Sequence, residues 1–173
     1  MQSSLFLNIG RFPIYNFVVI LIMYFLKNQQ IVIEEGNLSH AIEIAQQIPE
    51  FEKPYSKSDY EKRLHNIKHL ILTAYINDNP VGFKIGYETP TKQNFYSWMG
   101  GILLTYRQFG IANKLAKHQE NWARKLGYNR IILKTRSKHK TMIQFLNKHN
   151  FIKIGTLPHN PDEESRILYN KIL

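Results

Sequence analysis

The chain has 173 residues, of which 43% are hydrophobic, and it contains no cysteine. This length and apolar content favour one compact α/β domain with its own core over two domains or a disordered chain. Without cysteine, the protein has no disulfides, no thiolate zinc site and no cysteine nucleophile. A formal net charge of +10 favours an anionic partner, such as a nucleic acid, a membrane surface or a phosphorylated small molecule, although a base-composition bias toward Lys produces the same total.

The positive charge is concentrated in one part of the chain. Between Arg107 and Lys153 there are twelve Lys or Arg residues, and Glu120 is the one acidic residue in that span. Because a field of one sign attracts ligands of the opposite sign, this segment is where an anionic ligand is expected.

The N-terminal segment carries an apolar run, Phe17 to Leu26. Ten residues are too few for a spanning helix, which needs ~20, and no small-x-small cleavage site follows them. We therefore predict that residues 1–29 lie outside a single domain formed by residues 30–173. Met23 as the authentic start is part of this hypothesis, and the expected location of the protein is the cytoplasm.

The first elements of the domain are a strand and two helices. Residues 31–33 are predicted to form a short strand. Asn37 or Ser39 caps a helix that ends at Pro49. A capping box at residues 58–61 then opens a second, short helix.

Three strands follow, and the first two form a hairpin. Residues 70–76 and 81–88 are apolar and β-rich, and the sequence Asn-Asp-Asn-Pro between them is typical of a turn. A third strand is predicted over about residues 95–104.

The C-terminal half alternates helices and strands. The clearest helix begins at Ile111 and ends before Gly127, which stands where a left-handed capping residue is expected. A strand at 131–133, a helix at about 140–149, and strands at 151–157 and 167–172 complete the chain. The resulting order β-α-α-β-β-β-α-β-α-β-β predicts a mixed sheet with helices on both faces.

The strongest motif lies where the third strand of the meander meets this long helix. Arg107-Gln108-Phe109-Gly110-Ile111-Ala112 is predicted to form a tight turn whose backbone N–H groups point outward at a helix N-terminus, a site that binds phosphate. Ala112 keeps the first turn small, and Arg107 adds a positive charge.

This segment resembles the Q/R-x-x-G-x-G/A pyrophosphate motif of the GNAT superfamily of N-acetyltransferases. The segments 51–55, 81–88, 95–101 and 127–128 are similar to one bacterial branch, and the resemblance covers about residues 30–173. It implies the GNAT fold: a mixed, mostly antiparallel sheet of six to seven strands, flanked by helices and splayed between strands 4 and 5. It also implies acetyl-CoA as the acetyl donor, with the pantetheine arm inserted at the splay.

Carried over by position, the resemblance assigns the CoA-binding residues. The edge of strand 4 at Ile102, Leu103 and Leu104 would pair with the pantetheine amides. The residues expected at the pyrophosphate are Arg107, Gln108, Phe109, Gly110, Ile111, Ala112, Asn113 and Lys114. Ser137 is also a candidate for CoA binding by its position, although many family members have an Asn there. At Leu146 the chain departs from the family pattern again, since the general-acid Tyr usually stands at that position.

Catalytic residues follow from the needs of direct amine attack. Glu88 and Tyr96 are the candidates for a general base, and the backbone N–H of Leu103 is the candidate donor to the oxyanion. Lys84, Tyr87 and Trp98 are candidates for the acceptor pocket. A thiol leaving group with a pKa near ~8.5 is tolerable without a dedicated acid. No metal is expected, since His65 and His69 lack a third ligand.

Several functions remain open on the sequence alone. The leading hypothesis is transfer of an acetyl group to a primary amine of a small molecule or a peptide, by a monomer or homodimer. A longer acyl chain, a CoA-binding module without turnover, and nucleic-acid binding through the basic half are the alternatives. Nucleic acid is not expected as a partner because the aromatic residues are not interleaved with the basic ones, and membrane attachment depends on residues 17–26 alone.

Overall fold

In the computed structural model of the protein, residues 30–173 are described. The predictions made for residues 1–29, including the start at Met23, lie outside the described residues. Within the described part, no helix is long and apolar enough to cross a membrane.

A mixed seven-stranded sheet forms the centre of the domain, with strand order β1-β2-β3-β4-β5-β7-β6. All neighbouring strands pair antiparallel except β4 and β5, which pair in parallel. The strands are β1 Ile31–Glu35, β2 His69–Ile76, β3 Asn79–Glu88, β4 Asn94–Ile102, β5 Arg130–Arg136, β6 Ile152–Leu157 and β7 Arg166–Ile172.

Within residues 30–173, four helices flank this sheet: α1 Leu38–Gln46, α2 Lys57–Leu64, α3 Ile111–Lys125 and α4 Lys140–Lys148. Together with the strands they confirm the predicted order of elements. One predicted helix start is wrong. The capping box of α2 joins Ser56 and Asp59, not residues 58–61, because the Ser56 hydroxyl accepts from the Asp59 N–H while the Asp59 carboxylate accepts from the Ser56 N–H. Ser58 lies inside the helix.

The helices cover the two faces of the sheet with separate hydrophobic clusters. On the α1–α2 face, Ile44 and Tyr60 pack against Phe83 and Ile85 of β3. On the α3–α4 face, Leu115 and Leu146 pack with Phe95, Ile131 and Leu133. From Phe83 onward, alternate residues of β3 face different helices, as the period of two of a strand requires. Phe83 and Ile85 face α1 and α2, and Lys84 faces α3 and α4.

The sheet opens between β4 and β5. The two strands pair only where Asn94–Tyr96 lies beside Arg130–Ile132. At Trp98 the register of β4 against β3 shifts by one residue, and such a β-bulge bends the strand that carries it. From Ser97 to Ile102, the edge of β4 that faces β5 therefore lacks a paired strand among the described residues.

Candidate functional site

The predicted phosphate loop is a glycine-capped helix start. Gly110 is the N-cap residue of α3 with φ 80°, and Gln108 has φ 70°. Among the described residues no side chain caps this end, and the first turn of the helix contains no acidic residue. The N–H groups of Ile111, Ala112 and Asn113 therefore remain available to an anion at the positive end of the helix dipole. Ala112, Asn113 and Lys114 are exposed.

Arg107 is held in place by an ion pair that the sequence did not predict. Its two terminal guanidinium nitrogens donate to the Glu50 carboxylate at 2.7 and 2.9 Å, and its Nε donates to the Ile102 carbonyl at 3.1 Å. Hydrogen bonds from Arg107 lower the pKa of Glu50 to about 2. Glu50 lies 57 residues away in sequence, so no local pattern links the two.

The open edge of β4 differs from the predicted one. The strand ends at Ile102, and Leu104 begins a short 3-10 turn. The Leu103 N–H donates to the Val81 carbonyl at 3.0 Å, so it is occupied within the sheet and the prediction that it serves as the oxyanion donor is corrected. Since N–H groups alternate between the two edges of a strand, those of Gly100 and Ile102 point to the open edge.

The α1–α2 face beside this edge carries an aromatic cluster. The rings of Tyr55, Tyr60 and Tyr87 surround Trp98 at centroid distances of 5.3, 5.2 and 6.0 Å. The guanidinium of Arg63 lies 4.6 Å from the centre of the Trp98 ring. Tyr87 and Trp98 are thus adjacent, while Tyr55, Tyr60 and Arg63 were not identified from the sequence.

Tyr96 lies at the edge of this cluster, 5.3 Å from Tyr87 between ring centres. Burial, followed by the neighbouring Tyr87, raises the pKa of its phenol. A phenol with a raised pKa stays protonated at neutral pH. Tyr96 is therefore suited to donating a hydrogen bond and poorly suited to the base role that was predicted.

Glu88 is directed away from the aromatic cluster. Its carboxylate accepts a hydrogen bond from the Tyr128 hydroxyl at 2.9 Å, and Tyr128 packs with Phe95 on the α3–α4 face. The structure therefore does not bring the two predicted bases, Glu88 and Tyr96, to one site.

Lys84 is also separated from Tyr87 and Trp98. It lines a small cavity on the α3–α4 face, together with Gln119 and Glu120 of α3 and Leu146 of α4. The prediction that Lys84 shares an acceptor pocket with the two aromatic residues is corrected, because residues 84 and 87 of β3 lie on opposite faces of the sheet.

Ser137 takes part in a loop contact. Its hydroxyl donates to the Asp162 carbonyl at 2.7 Å, and its N–H donates to the Ser165 carbonyl at 2.8 Å. The next residue, Lys138, pairs with Glu52 at 2.7 Å and Glu164 at 2.6 Å. These contacts connect the 50–57 loop to the 158–165 loop, and the Ser137 hydroxyl is already hydrogen-bonded within the protein.

Within residues 30–173, no group of three His, Asp or Glu side chains lies close enough together to hold a metal ion. His69 directs its Nδ1 to the Ile67 carbonyl at 2.8 Å, and His65 is the C-cap residue that follows Leu64, the last residue of α2.

A mixed sheet that opens between two parallel strands, beside a glycine-capped helix start, is a GNAT-like α/β fold. The family model described as "Acetyltransferase (GNAT) family" matches residues 40–151. The protein belongs to this family. No functionally curated protein matches it by sequence.

Solved structures show the same fold at low sequence identity. The ribosomal-protein-S18-alanine N-acetyltransferase from Escherichia coli superposes with a TM-score of 0.71 and 16% identity, over 83% of this chain and 94% of that one. A GNAT family acetyltransferase from Elizabethkingia anophelis with acetyl-CoA bound superposes with a TM-score of 0.66 and 14% identity, over 83% of this chain and 98% of that one. An aminoglycoside 6'-N-acetyltransferase complexed with coenzyme A superposes with a TM-score of 0.67 and 16% identity, over 82% of this chain and 96% of that one.

Proposed function

We propose that the protein is an acetyl-CoA-dependent N-acetyltransferase that acetylates a primary amine of a small molecule or a peptide or protein by direct attack, acting in the cytoplasm. The observation that carries the proposal is the unpaired edge of β4 next to the glycine-capped start of α3. Family membership, and structural neighbours that hold acetyl-CoA or coenzyme A, support the same function.

In this proposal the N–H groups of residues 108–112 hold the pyrophosphate, with Arg107, Asn113 and Lys114 around it. The pantetheine amides bind along the open edge of β4, as an added strand binds to a sheet edge. The N–H groups of Gly100 and Ile102 take the place assigned at first to Leu103 and donate to pantetheine or to the oxyanion.

The acceptor amine would approach from the α1–α2 face, across Tyr87, Tyr96 and Trp98. An amine of pKa about 10.4 is mostly charged at neutral pH and must lose a proton before it attacks. Since Glu88 faces away and Tyr96 stays protonated, neither of the two predicted bases is placed to take that proton. A water molecule at the aromatic cluster is therefore proposed to accept the proton. Positioning of the two substrates then supplies much of the acceleration.

The test of this function combines binding and turnover. Acetyl-CoA is titrated into the protein by calorimetry, and release of the CoA thiol is then followed with a thiol reagent across a panel of amines. The chain has no cysteine, so the protein contributes no background. Binding followed by amine-dependent thiol release supports the enzyme. Binding without release favours the CoA-binding module, and a salt-sensitive shift with DNA or RNA but none with CoA favours nucleic-acid binding.

Replacing Glu50 by Gln is expected to tighten acetyl-CoA binding by about threefold to tenfold at low salt, equivalent to about 0.7–1.4 kcal/mol. The carboxylate competes with the pyrophosphate for the Arg107 guanidinium, and the variant removes the competing charge. Because the Glu50 pKa is lowered to about 2, the carboxylate stays charged from pH 8 down to pH 5, and lowering the pH over that range does not relieve the competition.

The matched control is Glu52→Gln, which removes the same charge from the same loop but from a side chain that pairs with Lys138. Its affinity for acetyl-CoA is expected to change less, as measured by the same calorimetry. Weaker binding in Glu50→Gln than in the control would show that Glu50 positions Arg107 for the cofactor and would contradict the competition.

A further inference from the structure

Lys84 is a lysine in the middle of the central sheet, and its side chain crosses β4 on the α3–α4 face. It is paired in register with Gly100 of β4. A Cβ atom on Gly100 would lie 3.5 Å from the Lys84 Cγ and 3.1 Å from the Phe83 carbonyl oxygen. Because Gly100 has no side chain, the lysine chain passes over β4 and reaches residues of β5 beyond it.

The cavity that Lys84 reaches lies where β4 and β5 separate. Its volume is about 10 Å³, which is room for about one water molecule. The walls are Ala116, Gln119 and Glu120 of α3, Ile131 and Leu133 of β5, Met142, Phe145 and Leu146 of α4, and Phe151. In the sheet, β4 lies between β3, which carries Lys84, and β5, which carries Ile131 and Leu133. The cavity therefore lies over β4 on this face, at the level of Gly100, the register partner of Lys84.

Three polar side chains, those of Lys84, Gln119 and Glu120, stand in these otherwise apolar walls. The side chain of Gln119 is fully buried, and neither its Nε2 nor its Oε1 has a hydrogen-bond partner within the described protein. A buried unpaired amide costs about 1–3 kcal/mol, so it calls for an explanation beyond packing. Lys84 has no carboxylate within ion-pair distance among the described residues.

Ionisable groups around Lys84 come from three elements. Glu120 of α3 is the other ionisable residue in the described lining, and it is held at 2.7 Å by Lys171 of β7. His149, just after α4, packs against Phe145 with ring centres 4.2 Å apart. Burial lowers the pKa of Lys84 to about 8, with Glu120 acting in the opposite direction. That value is close to the pKa of an ordinary thiol, ~8.5.

We propose that Lys84 is the proton donor to the departing CoA thiolate, in place of the tyrosine that the family resemblance would put at Leu146. This inference rests on the proposed function. The attacking nitrogen forms a bond to the thioester carbonyl carbon, and the C–S bond breaks with its electron pair going to sulfur. One proton moves from the Lys84 Nζ to sulfur and leaves a neutral amine. The proton shed by the acetylated nitrogen enters solvent, and Lys84 recovers one from solvent, with Gln119 positioned to hold a relaying water.

The first test counts protons and needs no acceptor. CoA and acetyl-CoA are each titrated at pH 8 into the full-length protein, by calorimetry in buffers of different ionisation enthalpy. A thiol beside the Lys84 ammonium has a lowered pKa, and the two groups titrate as a coupled pair. CoA binding is therefore expected to release more protons than binding of acetyl-CoA, whose sulfur cannot ionise. In Lys84→Met this difference is expected to disappear, while Lys117→Met, which removes an exposed lysine of α3, retains it.

The second test is kinetic. Lys84→Met is expected to lower kcat by about a hundredfold or more, the usual contribution of a positioned acid, with KM for acetyl-CoA little changed. Only the protonated lysine can act, so the parent rate should fall as the pH rises through about 8. That limb should be absent in Lys84→Met, whereas a merely structural lysine would leave the profile in place. Lys84 is partly buried and makes no ion pair among the described residues, so its replacement by Met is not expected to unfold the protein, and thermal unfolding of the variant checks this.

The outcomes separate the two proposals. Equal proton release by CoA and acetyl-CoA in the parent, or a difference that persists in Lys84→Met, would overturn the role of Lys84. Failure of the parent to bind CoA would overturn both proposals. Binding of CoA with the expected proton difference, but no turnover with any amine, would count against the acetyltransferase function and in favour of Lys84 as the group paired with the CoA sulfur.

Discussion

Gly110→Asp is expected to weaken acetyl-CoA binding at least a hundredfold, which corresponds to about 2.7 kcal/mol. Gly110 is the N-cap of α3, and no atom lies within 4 Å of the position that a Cβ would take. The side chain of the aspartate therefore meets no neighbour, although the φ of 80° gives any residue with a Cβ a backbone cost. Its carboxylate occupies the space in front of the helix amides. Two unit charges about 4 Å apart repel by about 4 kcal/mol at an effective dielectric constant near 20, so a pyrophosphate is excluded.

The control for this variant is Gly127→Asp, at the other end of the same helix. Gly127 has the same φ of 80°, and a Cβ atom there would likewise meet nothing within 4 Å, so the backbone cost of the substitution is matched. Calorimetric titration of both variants, beside their thermal unfolding, separates lost binding from lost structure. Retained affinity in a folded Gly110→Asp protein would place the pyrophosphate elsewhere and remove the main support for the proposed cofactor site.

Phe95→Ala is expected to lower the free energy of unfolding by about 3–5 kcal/mol. The side chain is 0% exposed, and its ring packs 5.2 Å from Trp122 and 5.4 Å from Tyr128 between centres. A Cβ atom on Gly86 would lie only 2.3 Å from its Cε1, which shows how tightly the ring fits. Phe95 also pairs with Ile131 in the short parallel contact between β4 and β5, so its loss loosens the end of the sheet from which the cleft opens.

Denaturant unfolding measures this effect, with Ile152→Ala as the control. Ile152 is 63% exposed, and truncating an exposed side chain usually changes stability by less than about 0.5 kcal/mol. A loss below about 1 kcal/mol for Phe95→Ala would show that the core refills the space. In that case Phe95 would not be the residue that closes the paired end of β4 and β5.

Local sequence patterns were enough to predict most of the helices and strands. The hairpin of β2 and β3, the amphipathic α3 and its terminal Gly127 each depend on neighbours within a few residues, so periodicity and turn chemistry were enough to find them. The capping box of α2 was misplaced by two residues. Serines stand at both 56 and 58, and each is followed three residues later by an acidic residue, Asp59 or Glu61. The sequence therefore allows either capping box, and the structure forms the one between Ser56 and Asp59.

The candidate site likewise has one part that the local sequence predicts and another part that it does not. The loop from Arg107 to Ala112 is one continuous segment, and a glycine at a helix start is visible in the sequence. The partners of its side chains are not. Glu50 binds Arg107 from 57 positions away, and Arg63 lies on Trp98 through the packing of α2 against β4. Whether a strand residue faces one set of helices or the other also depends on the bulge at Trp98, which no local pattern indicated.

The sequence by itself determined the order of the elements, the glycine-capped loop and the resemblance to the GNAT superfamily, because each is written in residues close together along the chain. Tertiary structure alone decided which groups are available for chemistry. In the folded protein the Leu103 N–H donates to the Val81 carbonyl, and the Glu88 carboxylate accepts from the Tyr128 hydroxyl. The Lys84 side chain passes over Gly100 to the cavity beside Leu146. These outcomes depend on strand register and on the face to which each side chain points, and both are properties of the assembled sheet.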